Sequence, residues 1–320
     1  MIRYSTTIVL ILLFSLNTFA QSFNLFALYY GDNRIAFKDS TMFIVGGDYN
    51  RKTIFPCYWK NNEKVMLGNE PGYIHGIFVE GDNIYMSGFL LQDDFSTKPC
   101  YWKNDSLIML TGDGGWAYSI AKSNSDMYIA GGLQRGYKSN PCYWKNGELE
   151  KLSEENGTAT SVCTSESGDL YFAGTSGSKA VNKAVYWKNG EMNNLSKKGS
   201  EARSILVSGN DVYVTGLVGT GYRATCWKND EEYKLMSSAT HVHAVKEIDG
   251  DIYVGGSRNG NRMNACYWKN GELNMLPDTK GMIISIEEHN SNIYFLSLCV
   301  FKDKLEFSYW KNGEKIVLEN

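Results

Sequence analysis

The chain has 320 residues, and its 32 basic and 35 acidic residues give a formal net charge of −3. Proteins that bind nucleic acid or an acidic membrane surface normally present a basic face, so this balance argues against both kinds of partner. Hydrophobic residues make up 43% of the chain and aromatic residues 13%, which is enough to bury a core. A length of about three hundred residues is compatible with one large all-β domain.

Residues 1–20 have the pattern of a secretory signal peptide. Arg3 gives a positive start, residues 8–16 are mostly apolar, and Ala20 places a small residue at the expected cleavage point. The apolar run is shorter than the ~20 residues that a membrane-spanning helix needs, so an uncleaved anchor is the less favoured alternative. We therefore expect a secreted protein (periplasmic, cell-surface or extracellular) with no integral membrane segment after cleavage.

The rest of the chain repeats one short segment seven times. Its first copy reads PCYWKNNEKVML at 56–67, and the tryptophan in each copy follows the previous one by 40 to 43 residues. The seven tryptophans are Trp59, Trp102, Trp144, Trp187, Trp227, Trp268 and Trp310. A period in the forties with several short strands per unit is typical of β-propeller blades.

Each repeat contains four predicted strands. A β-branched and aromatic run such as DMYIAGG (126–132) precedes each tryptophan, and another apolar run such as YSIAKS (118–123) precedes that one. The repeated segment itself is a hairpin, because Asn-Gly, as at 146–147, favours the type I′ turn. The sequence thus predicts an all-β fold, a seven-bladed β-propeller of four-stranded antiparallel blades, over residues 33–320.

The repeated Cys-Tyr-Trp-Lys segment also predicts how the blades pack. Side chains alternate between the two faces of a strand, so Trp144 and Cys142 share one face while Tyr143 lies on the other. Two faces with large or apolar groups suit a blade that lies between two neighbours. Since all seven units are complete, ring closure needs no exchanged strand, and we expect residues 21–32 to pack on the ring or to complete it.

The Trp-x-Asn-Gly hairpin, repeated every forty-odd residues in an exported chain, resembles the extracellular HAF-type repeat proteins. More broadly, the chain is similar to bacterial secreted β-propellers. This sequence has Tyr-Trp-Lys-Asn-Gly where that family favours a His-Ala-Phe lead-in. The resemblance implies an extracellular propeller and supplies no catalytic residues.

Seven cysteines in an exported chain raise the question of disulfides. Four of them occupy equivalent places in different blades: Cys57, Cys100, Cys142 and Cys266. Packed sheets lie ~10 Å apart, whereas a disulfide needs Cα atoms within about 7 Å. We therefore predict buried free thiols.

A variable position within the repeats marks the candidate ligand site. His75 and His243 both stand ten residues before the tyrosine of the next strand, and the equivalent residues of other repeats differ in chemistry. These connections line one mouth of the central channel in a propeller, where we predict that a ligand binds. The candidate residues are Tyr73, His75, Trp116, Tyr118, Arg203, His241 and His243.

His241 and His243 share a strand face and could together ligate a metal. Zinc sites normally need three or four ligands with oriented partners, and no such set is visible, so neither a metal nor another cofactor is expected. An alternative that needs no ligand is a set of hydrogen-bonded polar residues at the channel mouth.

The sequence favours a non-catalytic function. It contains no G-x-S-x-G elbow, no His-Glu-x-x-His helix and no phosphate loop, and no catalytic residue is predicted. We expect a secreted binding or interaction module whose partner is an unknown protein or peptide. One alternative is a carbohydrate-binding propeller that uses Trp116, the one tryptophan outside the seven repeated positions. A less favoured alternative is a polysaccharide lyase or hydrolase.

Overall fold

A computed structural model describes residues 30–50, 53–94, 96–136, 138–178, 181–196, 199–219, 223–233, 235, 239–259, 263–277, 280–300 and 304–319. Within these ranges the chain forms twenty-eight β-strands, arranged as seven antiparallel four-stranded sheets in a ring. The predicted seven-bladed β-propeller is confirmed. In the same ranges no helix is long and apolar enough to cross a membrane. The predicted signal peptide, and residues 21–29 of the predicted N-terminal segment, lie outside the described residues.

Each blade takes its four strands consecutively from the chain, from the innermost strand outward. Blade 1 comprises β1 (Ile35–Lys38), β2 (Thr41–Asn50), β3 (Thr53–Lys60) and β4 (Glu63–Met66). Blade 2 comprises β5 (Gly72–Glu80), β6 (Asn83–Leu91), β7 (Thr97–Lys103) and β8 (Ser106–Met109). Blade 3 comprises β9 (Gly115–Ser123), β10 (Asp126–Arg135), β11 (Lys138–Lys145) and β12 (Glu148–Lys151). Blade 4 comprises β13 (Asn156–Thr164), β14 (Leu170–Gly177), β15 (Asn182–Lys188) and β16 (Glu191–Asn194).

The remaining three blades follow the same order. Blade 5 comprises β17 (Ser200–Ser208), β18 (Asp211–Val218), β19 (Arg223–Lys228) and β20 (Glu231–Tyr233). Blade 6 comprises β21 (Ala239–Ile248), β22 (Asp251–Asn259), β23 (Met263–Lys269) and β24 (Glu272–Met275). Blade 7 comprises β25 (Met282–His289), β26 (Asn292–Val300), β27 (Leu305–Lys311) and β28 (Glu314–Val317).

Among the described residues, the ring closes by packing of blade 7 against blade 1, and each of these two blades is built from four consecutive strands. The ring centroids of Trp59 and Phe307 lie 5.0 Å apart, and Phe37 stacks on His289 at 4.1 Å. The indole nitrogen of Trp59 donates a hydrogen bond to the carbonyl oxygen of Glu319 at 3.0 Å. Side-chain contacts therefore hold the first and last blades together.

The seven repeated tryptophans fill the gaps between blades, as predicted. All are buried, with exposed fractions between 0 and 3%. Each belongs to an apolar cluster that includes residues of the preceding blade; for example, Trp102 packs with Phe43 and Val45, and Trp268 packs with Tyr213. On the opposite face, Tyr143 stacks on Phe172 of the following blade at 4.8 Å. Both faces of a blade are therefore core.

The repeated asparagine has a second role that its turn preference does not reveal. Asn146 adopts a left-handed conformation with φ of 52° and begins the hairpin turn. Its Oδ1 accepts the backbone N–H of Met127 at 2.9 Å, and its Nδ2 donates to Asp126 at 2.7 Å. The Oδ1 contact recurs in all seven blades. This asparagine clamp therefore joins the outer hairpin of a blade to its inner one.

The repeated lysine contributes to the same corner of the blade. Lys145 pairs with Asp126 at 2.9 Å and lies over the ring of Tyr128 at 5.9 Å. The equivalent lysines of blades 2, 4, 5, 6 and 7 also lie over a tyrosine ring. The repeated Tyr-Trp-Lys-Asn segment is thus explained position by position by blade packing and hairpin connection.

All seven cysteines fall within the described residues, and all seven are free thiols. Cys57, Cys100, Cys142 and Cys266 are buried beside the repeated tryptophans. Burial raises the pKa of each of these thiols, that of Cys266 to about 12, so the reactive thiolate form is disfavoured. These cysteines therefore act as small core residues.

Candidate functional site

The innermost strands of blades 2 to 7 each carry a β-bulge at the same repeat position. The pairing register skips one residue there, so that two residues oppose one on the neighbouring strand. The skipped residues are His75, Tyr118, Thr160, Arg203, His243 and Ile284. The variable position noticed in the sequence is therefore the bulge position, which re-aims one side chain per blade.

The bulge side chains form a buried layer that extends from blade to blade. Their exposed fractions lie between 0 and 8%. The rings of His75 and Tyr118, on neighbouring blades, have centroids 5.0 Å apart. Arg203 contacts His243 of the next blade, with Nη1 2.9 Å from Nε2. These contacts place the variable residues around the ring axis and keep them out of bulk water.

Residues 30–34, which we name the axial segment, contact five other blades. Asp32 accepts hydrogen bonds from serines of blades 3, 4 and 5. Asn33 exchanges hydrogen bonds with the backbone of Ile77 in blade 2, at 2.8 and 3.0 Å. The backbone N–H of Arg34 donates to Ser285 of blade 7 at 3.1 Å. Only a segment on the ring axis can reach all of these blades.

The buried carboxyl group of Asp32 is held by three hydroxyl groups. Ser161 donates to Oδ2 at 2.7 Å, Ser119 donates to Oδ1 at 3.3 Å, and Ser204 also donates to Oδ2. Ser119 and Ser161 each accept a backbone N–H from the following blade at the same time. Burial raises the pKa of Asp32, and the three hydroxyl groups only partly oppose this effect.

Arg34 anchors the other side of the axial segment and is fully buried. Its Nη1 donates to the hydroxyl of Tyr73 at 2.7 Å, and its Nε donates to the carbonyl oxygen of Gly31 at 3.2 Å. Gly31 has a φ of 82°, and a Cβ there would lie 2.4 Å from the carbonyl oxygen of Tyr118. Glycine is therefore required for the segment to fit inside the ring.

His75 lies against the axial segment in a fixed tautomer. Its Nδ1 lies 2.9 Å from the carbonyl oxygen of Tyr30, so this nitrogen carries the proton and donates. Its Nε2 is buried and has no hydrogen-bond partner among the described residues. Burial and the nearby charge of Arg34 lower the pKa of His75 well below its usual value, so the ring is neutral.

One end of the channel, which we name the mouth, is formed by the residues two positions before each bulge. They are Tyr73, Trp116, Thr158, Glu201, His241 and Met282, in blades 2 to 7. Tyr73, Trp116 and Met282 form an apolar arc, in which Tyr73 and Met282 are buried and Trp116 is half-buried. Thr158, Glu201 and His241 form a half-buried polar arc. The mouth is therefore apolar on one side and polar on the other.

Two side chains of the polar arc, Glu201 and His241, form a group with Arg203 and His243 beneath the mouth. Nε of Arg203 donates to Oε1 of Glu201 at 2.7 Å, and Nη1 of Arg203 contacts the His243 ring. The rings of His241 and His243 are nearly parallel, with centroids 6.4 Å apart. Burial, and secondarily the charge of Arg203, lowers the pKa of His241 to about 4. This imidazole is therefore neutral at physiological pH, and its buried Nδ1 has no partner among the described residues.

The opposite end of the channel is different in character. There the inner strands of neighbouring blades are joined by ion pairs, between Lys122 and Glu80 and between Lys246 and Glu287. The hydroxyl of Ser208 also donates to Glu247 at 3.1 Å. The charged groups at this end are thus engaged with one another.

The structure divides the candidate residues predicted from the sequence into two sets. His75 and Tyr118 are buried against the axial segment, and Tyr73, in the apolar arc of the mouth, is also buried and accepts a hydrogen bond from Arg34 of that segment. Trp116 and His241 are half-buried at the mouth, and Arg203 and His243 lie beneath it. Among the described residues, no group of three or more His, Cys, Asp or Glu side chains could hold a metal ion.

The axial residues Asp32 and Arg34 were not predicted from the sequence. Their partners lie up to 251 residues away, so local patterns carry no sign of them. A weak signal does exist, because four inner strands place a serine directly after the bulge residue: Ser119, Ser161, Ser204 and Ser285. A recurring hydroxyl at the axis of an otherwise apolar strand indicates a shared polar partner.

Comparisons with known proteins identify the fold and no family. No protein-family profile matches the chain, and no curated protein matches it; the resemblance to HAF-type proteins stays a prediction. A puromycin-hydrolyzing peptidase of Mycobacterium tuberculosis matches with a TM-score of 0.61 and 8% identity, over 92% of this chain and 53% of that one. The β-propeller domain of the Trilobed protease from Pyrococcus furiosus matches with a TM-score of 0.50 and 12% identity, over 91% and 97%.

A sialidase of Trypanosoma rangeli matches at a TM-score of 0.48 and 10% identity, over 86% of this chain and 52% of that one. The chain thus spans about half the length of the sialidase and of the peptidase. At these identities, the two matches that reach a TM-score of 0.50 bear on the fold alone. On that evidence the chain is similar in fold to the β-propeller domain of the protease and to part of the peptidase.

Proposed function

We propose that the protein is an exported, non-catalytic binding module that holds a peptide or a segment of a partner protein at the mouth. The observation that carries this proposal is the division of the mouth into two arcs above a closed floor. Trp116 in blade 3 offers a half-buried aromatic surface, and Glu201 and His241 in blades 5 and 6 lie on the other side of the ring. A concave site with an aromatic surface and a few convergent polar groups suits such a ligand.

The axial segment limits how a ligand can bind. Because Asp32 and Arg34 occupy the ring axis and are tied to blades 2, 3, 4, 5 and 7, the channel offers no open passage at their level. A ligand that enters the mouth therefore stops above the bulge layer. This favours a short chain end or a loop over a polymer threaded through the ring.

The state of His241 supports binding in preference to catalysis. A catalytic imidazole is usually held in one tautomer by a hydrogen bond to its second nitrogen. Nδ1 of His241 has no such partner among the described residues. The histidine that does have a fixed tautomer, His75, is covered by the axial segment. Neither ring is therefore arranged as an oriented general base.

A carbohydrate ligand is the second candidate, because the half-buried ring of Trp116 could also stack on a sugar. The indole of Trp116 packs against the apolar cluster that contains Tyr73 and Met282, which holds the ring in place. A polysaccharide lyase or hydrolase would need the same mouth and would in addition turn over its substrate. These alternatives are distinguished by which ligands bind and whether products appear.

The proposal is tested by selecting a phage-displayed random peptide library on the immobilised chain of residues 21–320. We expect enriched peptides whose affinity, measured by calorimetry, falls at least about tenfold in Trp116→Ala, since loss of one buried aromatic contact typically costs that much. Met192→Ala, on the exposed outer strand of blade 4, is the matched control and should bind normally. Failure to enrich any peptide, together with Trp116-dependent binding of an oligosaccharide panel, would replace this proposal with the carbohydrate one.

A further inference from the structure

We propose that the mouth recognises a carboxylate of its peptide ligand, through Nη2 of Arg203 with His241 beside it. This inference deepens the proposed function and rests on it. It concerns the chemistry of the ligand, which the division into two arcs leaves open.

Arg203 is mostly buried, yet part of its hydrogen-bonding capacity is unused. Its side chain is 9% exposed, its Nε serves Glu201, and its Nη1 contacts His243. Nη2, which carries two N–H groups, makes no hydrogen bond with any described residue. Nη2 is not one of the buried polar atoms that lack a partner, so it lies where a ligand can reach it and supply an acceptor. Nη2 can therefore donate a charge-assisted hydrogen bond to a carboxylate of the ligand.

His241 provides a second, independent sign of a missing ligand atom. Its Nδ1 is buried and has no partner among the described residues, although the ring itself is half-buried at the mouth. The His241 ring lies 6.4 Å, centroid to centroid, from the His243 ring that Arg203 contacts, so the two groups are close in space. A ligand oxygen placed near Arg203 could therefore also accept a hydrogen bond from this imidazole.

The charges around the mouth favour an anion over a cation. Arg203 lies beneath the mouth and Arg34 lies deeper on the axis, and both are permanently positive. Glu201, the one carboxylate of the polar arc, is already engaged by Arg203. A cationic ligand would meet the guanidinium group of Arg203, whereas a carboxylate would be attracted by it. The apolar arc excludes water from one side of the site and so strengthens this attraction.

The experiment compares two pools of short acetylated peptides that are built from the same uncharged residues and differ only at the C-terminus. One pool ends in a free carboxylate and the other in an amide. We expect the wild-type chain of residues 21–320 to retain the free-acid pool more strongly, by about ten- to a hundredfold, as a charge-assisted hydrogen bond predicts. Arg203→Gln should remove this preference, and Arg135→Gln, an exposed arginine at the end of β10, should keep it.

Glu201→Gln is a second variant that tests the inference even if Arg203→Gln fails to fold. The amide oxygen can still accept from Nε of Arg203, but the negative charge next to the ligand is removed. We therefore expect Glu201→Gln to bind the free-acid pool more tightly than wild type does. Weaker or unchanged binding would contradict the assignment of the carboxylate to Arg203.

The outcomes separate this inference from the proposed function. Equal retention of both pools, lost in Trp116→Ala, would keep the peptide-binding module and overturn the carboxylate. Arg203-dependent binding of oligogalacturonate without binding of either peptide pool would overturn the peptide and assign the carboxylate chemistry to a uronate. No binding of peptides or oligouronates would overturn both proposals.

Discussion

Arg34 donates a hydrogen bond from Nη1 to the hydroxyl of Tyr73 at 2.7 Å, and both side chains are fully buried. The contact joins the axial segment to the inner strand of blade 2, directly beneath the mouth. Tyr73 is thus a support for the axial segment as well as part of the apolar arc. Its hydroxyl group is engaged by Arg34, so removal of the hydroxyl alone tests the structural role.

We expect Tyr73→Phe to lower the free energy of unfolding by ~1.5–3 kcal/mol, because it removes the partner of a buried charged donor. Urea denaturation measures this loss. The matched control is Tyr143→Phe, whose hydroxyl donates to the exposed Glu150 and should contribute less than ~1 kcal/mol. Equal losses in the two variants would contradict the special role of the Arg34 contact.

The raised pKa of Asp32 gives the axial segment a predictable pH dependence. A carboxyl group whose pKa is higher in the folded state stabilises the fold fully below its unfolded pKa, near 3.8. That contribution is lost as the pH rises through the folded pKa, because the buried group must then ionise. We therefore expect Asp32→Asn to gain stability relative to wild type as the pH rises from 4 towards neutrality.

The difference in unfolding free energy between Asp32→Asn and wild type isolates this effect, since all other titrating groups are shared. Urea denaturation at a series of pH values measures it. A difference that does not change with pH would show that Asp32 titrates alike in the folded and unfolded chains. A change in the opposite direction would show that the three serine hydroxyl groups outweigh the burial.

The two kinds of tryptophan should respond differently to removal. Trp144 is fully buried between blades 2 and 3, and its indole nitrogen donates to the carbonyl oxygen of Thr111 at 2.7 Å. We expect Trp144→Ala to cost ~3–5 kcal/mol, as other large-to-small core substitutions do. Trp116→Ala should cost clearly less, because that ring is only half-buried. Chemical denaturation of both variants checks the order, and a reversed order would contradict the packing scheme.

The asparagine clamp can be separated from the turn that it begins. Asn146→Gly keeps the left-handed conformation but loses the bonds to Met127 and Asp126, which we expect to cost ~1 kcal/mol. Asn146→Ala loses the bonds and adds left-handed strain of ~1–2 kcal/mol, so it should be the less stable variant. Thermal or urea unfolding distinguishes the two. If Asn146→Gly were as stable as wild type, the clamp would contribute nothing beyond turn geometry.

The blades could be predicted from the sequence because their determinants are local and repeated. A period set by Trp59 and its six equivalents, alternation along each strand and Asn-Gly turns all act within one unit, so each unit reports its own structure. The variable positions of the inner strands could be located from the sequence, but they could not be recognised as β-bulges. The residues at His75 and Arg203 stood out as variable, yet only the pairing register shows why their side chains turn inward.

The axial segment could not be predicted, for a physical reason. The sequence Gly31-Asp32-Asn33-Arg34 is typical of an exposed turn, since two of its residues are charged and one is glycine. Its burial depends on an environment that exists only after several blades have assembled around the axis. For the same reason, the sequence left open whether Arg203 and Glu201 pair with each other, as the structure shows them to do.

The central position of the axial segment has a consequence for the order of folding. Solenoid repeats can form one after another, because each contacts only its neighbours. Here the backbone N–H of Arg34 finds its acceptor in Ser285, and the indole of Trp59 finds its acceptor in Glu319, 251 and 260 residues away. Residues near the start of the described chain are synthesised early, but their hydrogen-bond partners are synthesised last. Such long-range closure favours slow, all-or-none folding, in which a chain cut short before blade 7 has no stable partial ring to adopt.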